Sequence, residues 1–143
     1  DTRTIHIVNS NTVKQFSDAI QHEFKQQQHQ KEHECNGIQL NPTRFRPNII
    51  VDGLDPWSEF DLIGKTIEVI PKESDQKHQT QQQAKLRFRI TSRTVRCAGI
   101  GVDPLQPELG TIDIPKLLTK HFPQYGPYLG VYAVVDQGCG FNC

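Results

Sequence analysis

The stretch KLRFRITSRTVRCAGIGVDP, Lys85–Pro104, decides how the chain is read. Over Lys85–Ile90 apolar and basic residues alternate strictly, with Leu86, Phe88 and Ile90 on one side and Lys85, Arg87 and Arg89 on the other. Successive side chains of a strand face opposite sides of a sheet, so this period of two predicts a half-buried β-strand. The run ends with Arg93 and Arg96 just before Cys97, and a glycine-spaced apolar segment then leads to Asp103-Pro104, which reads as a turn. A cysteine that only fills space in a core needs no arginines behind it.

Outward from this strand the elements are mixed. Thr4–Val8 alternates as a strand, and Asn9, Ser10 and Asn11 offer caps for a helix in which Val13, Phe16, Ile20 and Phe24 recur at helical spacing. Asn48–Val51 reads as a buried strand closed by an Asp52-Gly53 turn, and Leu62–Ile70 as another, with Gly64 as a bend or bulge. Asp113 is placed to cap a short helix with Pro115 in its first turn, ending before Pro123. Tyr128–Val135 is a last apolar strand. Two polar insertions, near 25–36 and 71–84, have nothing to bury. Many short strands with two helices predict one mainly β domain over 1–143, a barrel or sandwich with peripheral helices.

Composition excludes some functions. The 143 residues suffice for one domain, and 16 Lys plus Arg balance 16 Asp plus Glu, so bulk charge gives no reason for nucleic-acid or membrane-surface binding. Charge is instead segregated: five basic and no acidic residues lie between Lys85 and Arg96, whereas Asp52, Asp55, Glu59 and Asp61 fall in a stretch without a basic residue. A nucleic-acid interface on Arg87 and Arg89 lacks an aromatic on the same face, because Phe88 points the other way. No apolar run is long enough to cross a bilayer as a helix. The chain begins at Asp1 and contains no methionine, as an excised or processed piece would. Four cysteines, at 35, 97, 139 and 143, show no close repeated pairing, which points to a reducing compartment. His33, Cys35, Cys139 and Cys143 lack standard zinc spacing, and a Cys139–Cys143 disulfide has no further support.

Two clusters carry chemistry. Arginines beside a thiol favour the thiolate, the form that binds metals and attacks electrophiles, and Arg93 and Arg96 stand in that relation to Cys97. Arg44-Phe45-Arg46-Pro47-Asn48 sets two arginines and an amide before a strand, a set suited to bidentate contact with phosphate or carboxylate. Either segment alone has an ordinary reading, as a buried cysteine or a solvated strand entry.

Taken in order, RFRPNIIVDG, a tryptophan, LIGKTIEV, RTVRCAGIGVDP, a proline-led helix and PYLGVYAVV resemble the MOSC domain. This is the C-terminal domain of molybdenum cofactor sulfurases and the core of the mitochondrial amidoxime-reducing component and its bacterial relatives. The resemblance runs from about Ile5 to Val135 and implies a MOSC-type β-barrel that holds a pyranopterin molybdenum cofactor (molybdopterin). It implies that Cys97 is the molybdenum ligand and catalytic position. It further implies that Arg46 and Asn48 hold the phosphate side with Arg44 nearby, Arg96 meets the anionic cofactor, Thr12 lends a hydroxyl, and Tyr132 lies beside it with Gly130 allowing close approach.

Departures from the pattern are specific. Reductase-like members commonly carry another cysteine three residues before the ligand, where this chain has Thr94. Characterised enzymes have an additional N-terminal β-barrel domain, and family members continue past GCGFNC to a further strand, so the last strand is expected to be missing. Two functions follow from the resemblance. One is an oxidoreductase domain that reduces small N-hydroxylated substrates with an electron-transfer partner. The other is a non-redox carrier of cofactor, or of sulfur as a persulfide on Cys97, serving a sulfur-transfer partner. Both place the protein in the cytoplasm or mitochondrion.

Overall fold

Strand β4 is longer than its alternating half predicts. In the computed structural model, which describes residues 4–27, 39–70, 86–105, 107 and 111–136, β4 spans Leu86–Val95. Phe88 and Ile90 are buried as expected, while Leu86 at the strand's start is 36% exposed. Register shifts fall between Ile90 and Ser92 and between Arg93 and Val95, and Ser92 is exposed, yet the period of two resumes: Thr94 and Arg96 face inward with Phe88 and Ile90, and Cys97 faces out. Most of the polar insertions, together with His33, Cys35, Cys139 and Cys143, lie outside the described residues.

The strands β1 (Thr4–Asn9), β2 (Ile49–Val51), β3 (Thr66–Val69), β4 and β5 (Tyr128–Val135) form one mixed sheet in the order β2-β1-β5-β4-β3. Only β1 and β2 run parallel, joined through helix α1 (Ser10–Gln27). A parallel pair needs such a crossover. The backbone N–H of Asn11 donates to the Asn9 side chain at 3.1 Å, capping α1, and Val13, Phe16 and Ile20 form its buried stripe. Helix α2 (Ile114–His121) starts as predicted: the N–H of Lys116 donates to Asp113 at 3.2 Å. Ile114 and Leu118, one turn apart, face the core. The fold is mainly β with peripheral helices, as expected.

Two strand expectations need correction. Leu62 ends a 3-10 turn over Ser58–Leu62, and Gly64, at φ +82°, makes a turn, so β3 begins only at Thr66. The strand after Asn48 is an edge strand, and Ile50 is 46% exposed. A strand covered on one face buries only alternate residues, so Ile49 and Val51 are partly buried while Ile50 faces out.

The core joins the α1 stripe and α2 to Ile7, Phe88, Ile90, Leu129, Val131 and Ala133 of the sheet. An aromatic group adjoins it: Trp57 stacks on Tyr125 at 4.5 Å and meets Phe122 at 4.8 Å. Trp57 takes a left-handed backbone at φ +69°, and its N–H donates to Thr12 Oγ1 at 2.8 Å. Among the described residues no helix is long and apolar enough to cross a membrane.

Candidate functional site

Two short backbone turns interlock around Cys97. The first is a 3-10 turn over Pro42–Phe45, capped by Asn41, which accepts from the N–H of Thr43 at 2.9 Å. The second follows Cys97 itself, over Ala98–Ile100. Arg44 crosses from the first to the second: its Nη2 donates to the Gly101 carbonyl at 3.4 Å, and its Nε lies 3.6 Å from the Asp103 carboxylate. Arg96 crosses the other way, its Nη1 donating to the Phe45 carbonyl at 3.2 Å. Cys97 thus stands between two arginine crosslinks to the same turn.

Arg96 is buried, and its fork is fully directed. Nε and Nη2 donate to the Leu129 carbonyl at 2.8 and 2.5 Å, and Nη2 also meets Nε2 of His6. Burial lowers its pKa to about 10, with Tyr132 and Cys97 acting the other way, so it remains a cation at neutral pH. The guanidinium expected to face the cofactor is directed into the fold instead. A planar group with five donors suits three acceptors in fixed places, which an ammonium would not.

His6 is the residue that sequence reading missed. Its backbone N–H donates to the Asn48 side chain, its carbonyl accepts from the Asn48 N–H, and its Nδ1 lies 3.3 Å from the Arg46 carbonyl. Its ring also faces Tyr132 at 5.6 Å, the two being paired across β1 and β5. Three of the expected site residues, Arg46, Arg96 and Tyr132, therefore meet one imidazole, and a fourth, Asn48, holds the backbone that carries it. The signal in the sequence was only a histidine in an alternating strand, where solvated or satisfied histidine is the ordinary outcome.

The remaining site residues divide. Cys97 is exposed and free, Arg46 is exposed in a left-handed cap at φ +51°, and Asn48 is exposed beside it. Thr12 does not join them. It lies in the first turn of α1, fully buried, where its hydroxyl donates to Glu59 at 2.8 Å and accepts from Trp57. Asp103 makes the expected turn, accepting from the Leu105 N–H at 2.9 Å, and also faces Arg44. Gly130, at φ +78°, does permit a close approach, but of β1: an added Cβ would lie 2.7 Å from the Ile7 carbonyl.

The donor set fits an anionic cofactor carrying a soft metal. A free thiol is the soft ligand, Arg46 is an accessible cation, and buried Arg44 keeps Nε and Nη1 without a hydrogen-bond partner. No group of three or more His, Cys, Asp or Glu that could hold a metal exists among the described residues.

Two buried titratable groups give stability opposite dependences on pH. Burial, with Arg96 second, lowers the His6 pKa from 6.5 to about 4. The folded state then binds fewer protons than the unfolded one between those values, and stability falls as pH drops through them by up to about 1.4 kcal/mol per pH unit. Glu59 is the reverse case: burial raises its pKa against hydrogen bonds from Asn9 and Thr12, and Oε1 has no partner. Its contribution is present below the ordinary glutamate range near 4.5 and is lost as pH rises through the raised value. In urea unfolding at pH 5 to 8, Glu59→Gln should remove that loss and leave the protein more stable than wild type at pH 8, by about 1 kcal/mol. A variant less stable than wild type at pH 8 would show that the carboxylate is needed ionised.

Among known proteins, the family model described as MOSC domain matches residues 1–139. No curated protein matches the chain.

Proposed function

The chain belongs to the MOSC domain family, and from that premise we propose that it binds a pyranopterin molybdenum cofactor as part of an oxidoreductase acting on small N-hydroxylated substrates. The observation that carries this reading is the exposed thiol of Cys97, held between two arginine crosslinks to the Arg44–Asn48 segment.

Each residue has a separate task. Cys97 ligates the metal through its thiolate, the form that binds soft metals. Arg46, exposed on its left-handed cap, presents a planar cation to the cofactor's phosphate, and Asn48 offers its amide nitrogen beside it because its carbonyl oxygen already accepts from His6. Buried Arg44 holds this segment to the Gly101 carbonyl and the Asp103 carboxylate. Tyr132 lines the side formed by β5, and Arg96 and Thr12 act through the backbone and side chains they hold. When bound, the cofactor supplies the redox change at the metal by which an oxygen atom is taken from the substrate. The protein's part is binding, orientation and charge. An electron-transfer protein of the cytoplasm or mitochondrion completes the cycle.

The test is metal and pterin analysis of the protein from a host that makes the cofactor, wild type against Cys97→Ser. Stoichiometric molybdenum and pterin in wild type, with the metal–thiolate signature lost in the variant, is the expected result. Neither copurifying would overturn the cofactor reading. The exposed Cys97 would then be examined by mass spectrometry, after treatment with a sulfur donor, as the persulfide carrier of a sulfur-transfer system.

A further inference from the structure

We propose that His6 is the positioning residue of this site: its imidazole ties the Arg46 carbonyl to the Arg96 guanidinium, and so fixes the Arg44–Asn48 segment relative to the turn that carries Cys97. The inference rests on the cofactor-binding reading for its consequence, though not for its geometry.

The geometry assigns the tautomer. Arginine can only donate, so Nε2 of His6, facing Nη2 of Arg96, must be the acceptor. The proton is then on Nδ1, which points at the Arg46 carbonyl, 3.3 Å away, an acceptor and nothing else. Both ring nitrogens are thereby engaged in the only way a neutral imidazole allows. Arg46 needs this support, because a left-handed backbone is costly for a residue with a Cβ and the carbonyl must be held in its unusual direction. Arg96 needs it too, since among the described residues no carboxylate within hydrogen-bonding reach balances its buried charge and its acceptors are carbonyls and this ring.

The surroundings are built to admit the ring. Position 130 on β5 is glycine, and a Cβ there would come within 2.9 Å of His6 Nε2. On β1 itself, the His6 backbone is clamped to Asn48 by two hydrogen bonds at 2.8 Å, donating to the Asn48 side-chain oxygen and accepting from its N–H, which fixes the ring's place along the strand. Outer partners that orient ligand-bearing segments typically change metal affinity by about 10- to 100-fold when removed.

Three variants separate the roles of the ring atoms. A glutamine carbonyl reaches roughly where Nε2 lies and keeps the acceptor for Arg96. An asparagine reaches only the Nδ1 position, and phenylalanine keeps ring volume without either contact. Molybdenum and pterin retention and the metal–thiolate spectrum are read on protein from a cofactor-making host. On cofactor-free protein, nitrogen-15 NMR reads the His6 tautomer and the exchange of the Arg96 Nε–H.

Wild type should show the Nδ1–H tautomer and a slowly exchanging Arg96 Nε–H. His6→Gln should keep the slow exchange and retain cofactor within about threefold, while His6→Asn and His6→Phe lose the slow exchange and about tenfold or more in retention. Wild-type retention and spectrum in His6→Phe, or equal losses in Gln and Asn, would overturn the proposal. Should His6→Phe not fold, the Gln–Asn pair decides, as it differs by one methylene and by which nitrogen is mimicked. If wild type itself binds no cofactor, the functional reading fails, and the NMR contrast still determines whether His6 holds Arg96.

Discussion

Arg96→Met is expected to lower stability by about 3–5 kcal/mol, the scale of several buried acceptors left together without a donor. The substitution nearly preserves the length of the chain and its apolar stem but strips the donors from the Leu129 carbonyl, the Phe45 carbonyl and His6 Nε2. Each buried acceptor left without a donor costs about 1–3 kcal/mol, and the three are coupled, so their sum is an upper bound. Against a total of about 5–15 kcal/mol for a typical domain, the variant should be close to unfolding at ambient temperature. Arg96→Lys, which keeps the charge but not the fork, should fall between the two. Urea unfolding curves measure this directly. An unchanged midpoint for Arg96→Met would mean that the arginine is not structural, and would return it to the role of facing the cofactor.

Gly130→Ala is expected to cost about 2–4 kcal/mol, well beyond the backbone penalty alone. Its φ of +78° disfavours any side chain, and the new Cβ would lie 2.7 Å from the Ile7 carbonyl, 2.9 Å from His6 Nε2 and 3.0 Å from a Val8 methyl. A carbonyl in the ladder between β1 and β5 cannot yield without breaking that pairing. Gly53 provides the comparison: it has φ +81° but nothing within 4 Å, so Gly53→Ala should show only the conformational cost, about 1 kcal/mol. Thermal melting of the two variants isolates the packing contribution. Equal losses would show that β1 and β5 can separate slightly at this point and that the close approach is not constrained.

These two residues also mark where sequence reading stopped. The strand content, both helices and their caps were legible because period-two and period-3.6 patterns and capping residues are local signals. The accessible cysteine and the RFRPN segment were legible as chemistry, since residue type and order carry that information. Which acceptors each arginine meets was not. Arg93 and Arg96 look equivalent behind Cys97, yet the period of two that buries Phe88 and Ile90 carries on to bury Arg96, and leaves Arg93 exposed over the Phe60 ring at 4.6 Å. Thr12 reads as a hydroxyl near a helix start, and only the packing of Glu59 and Trp57 against it engages both of its hydrogen-bonding functions.

The sequence by itself determined the mainly β class, the family and the identity of the thiol and cations, all of which follow from patterns within short segments and their order. Tertiary structure alone decided that Arg44 and Arg96 crosslink the cysteine turn rather than line it. It alone placed His6 at their junction with Asn48 and Tyr132. The physical reason is that each of these contacts joins residues 33 to 90 positions apart, so each exists only after the sheet brings β1, β4 and β5 together. A buried guanidinium takes its acceptors from whatever backbone the fold presents, and no local pattern records which carbonyls those will be.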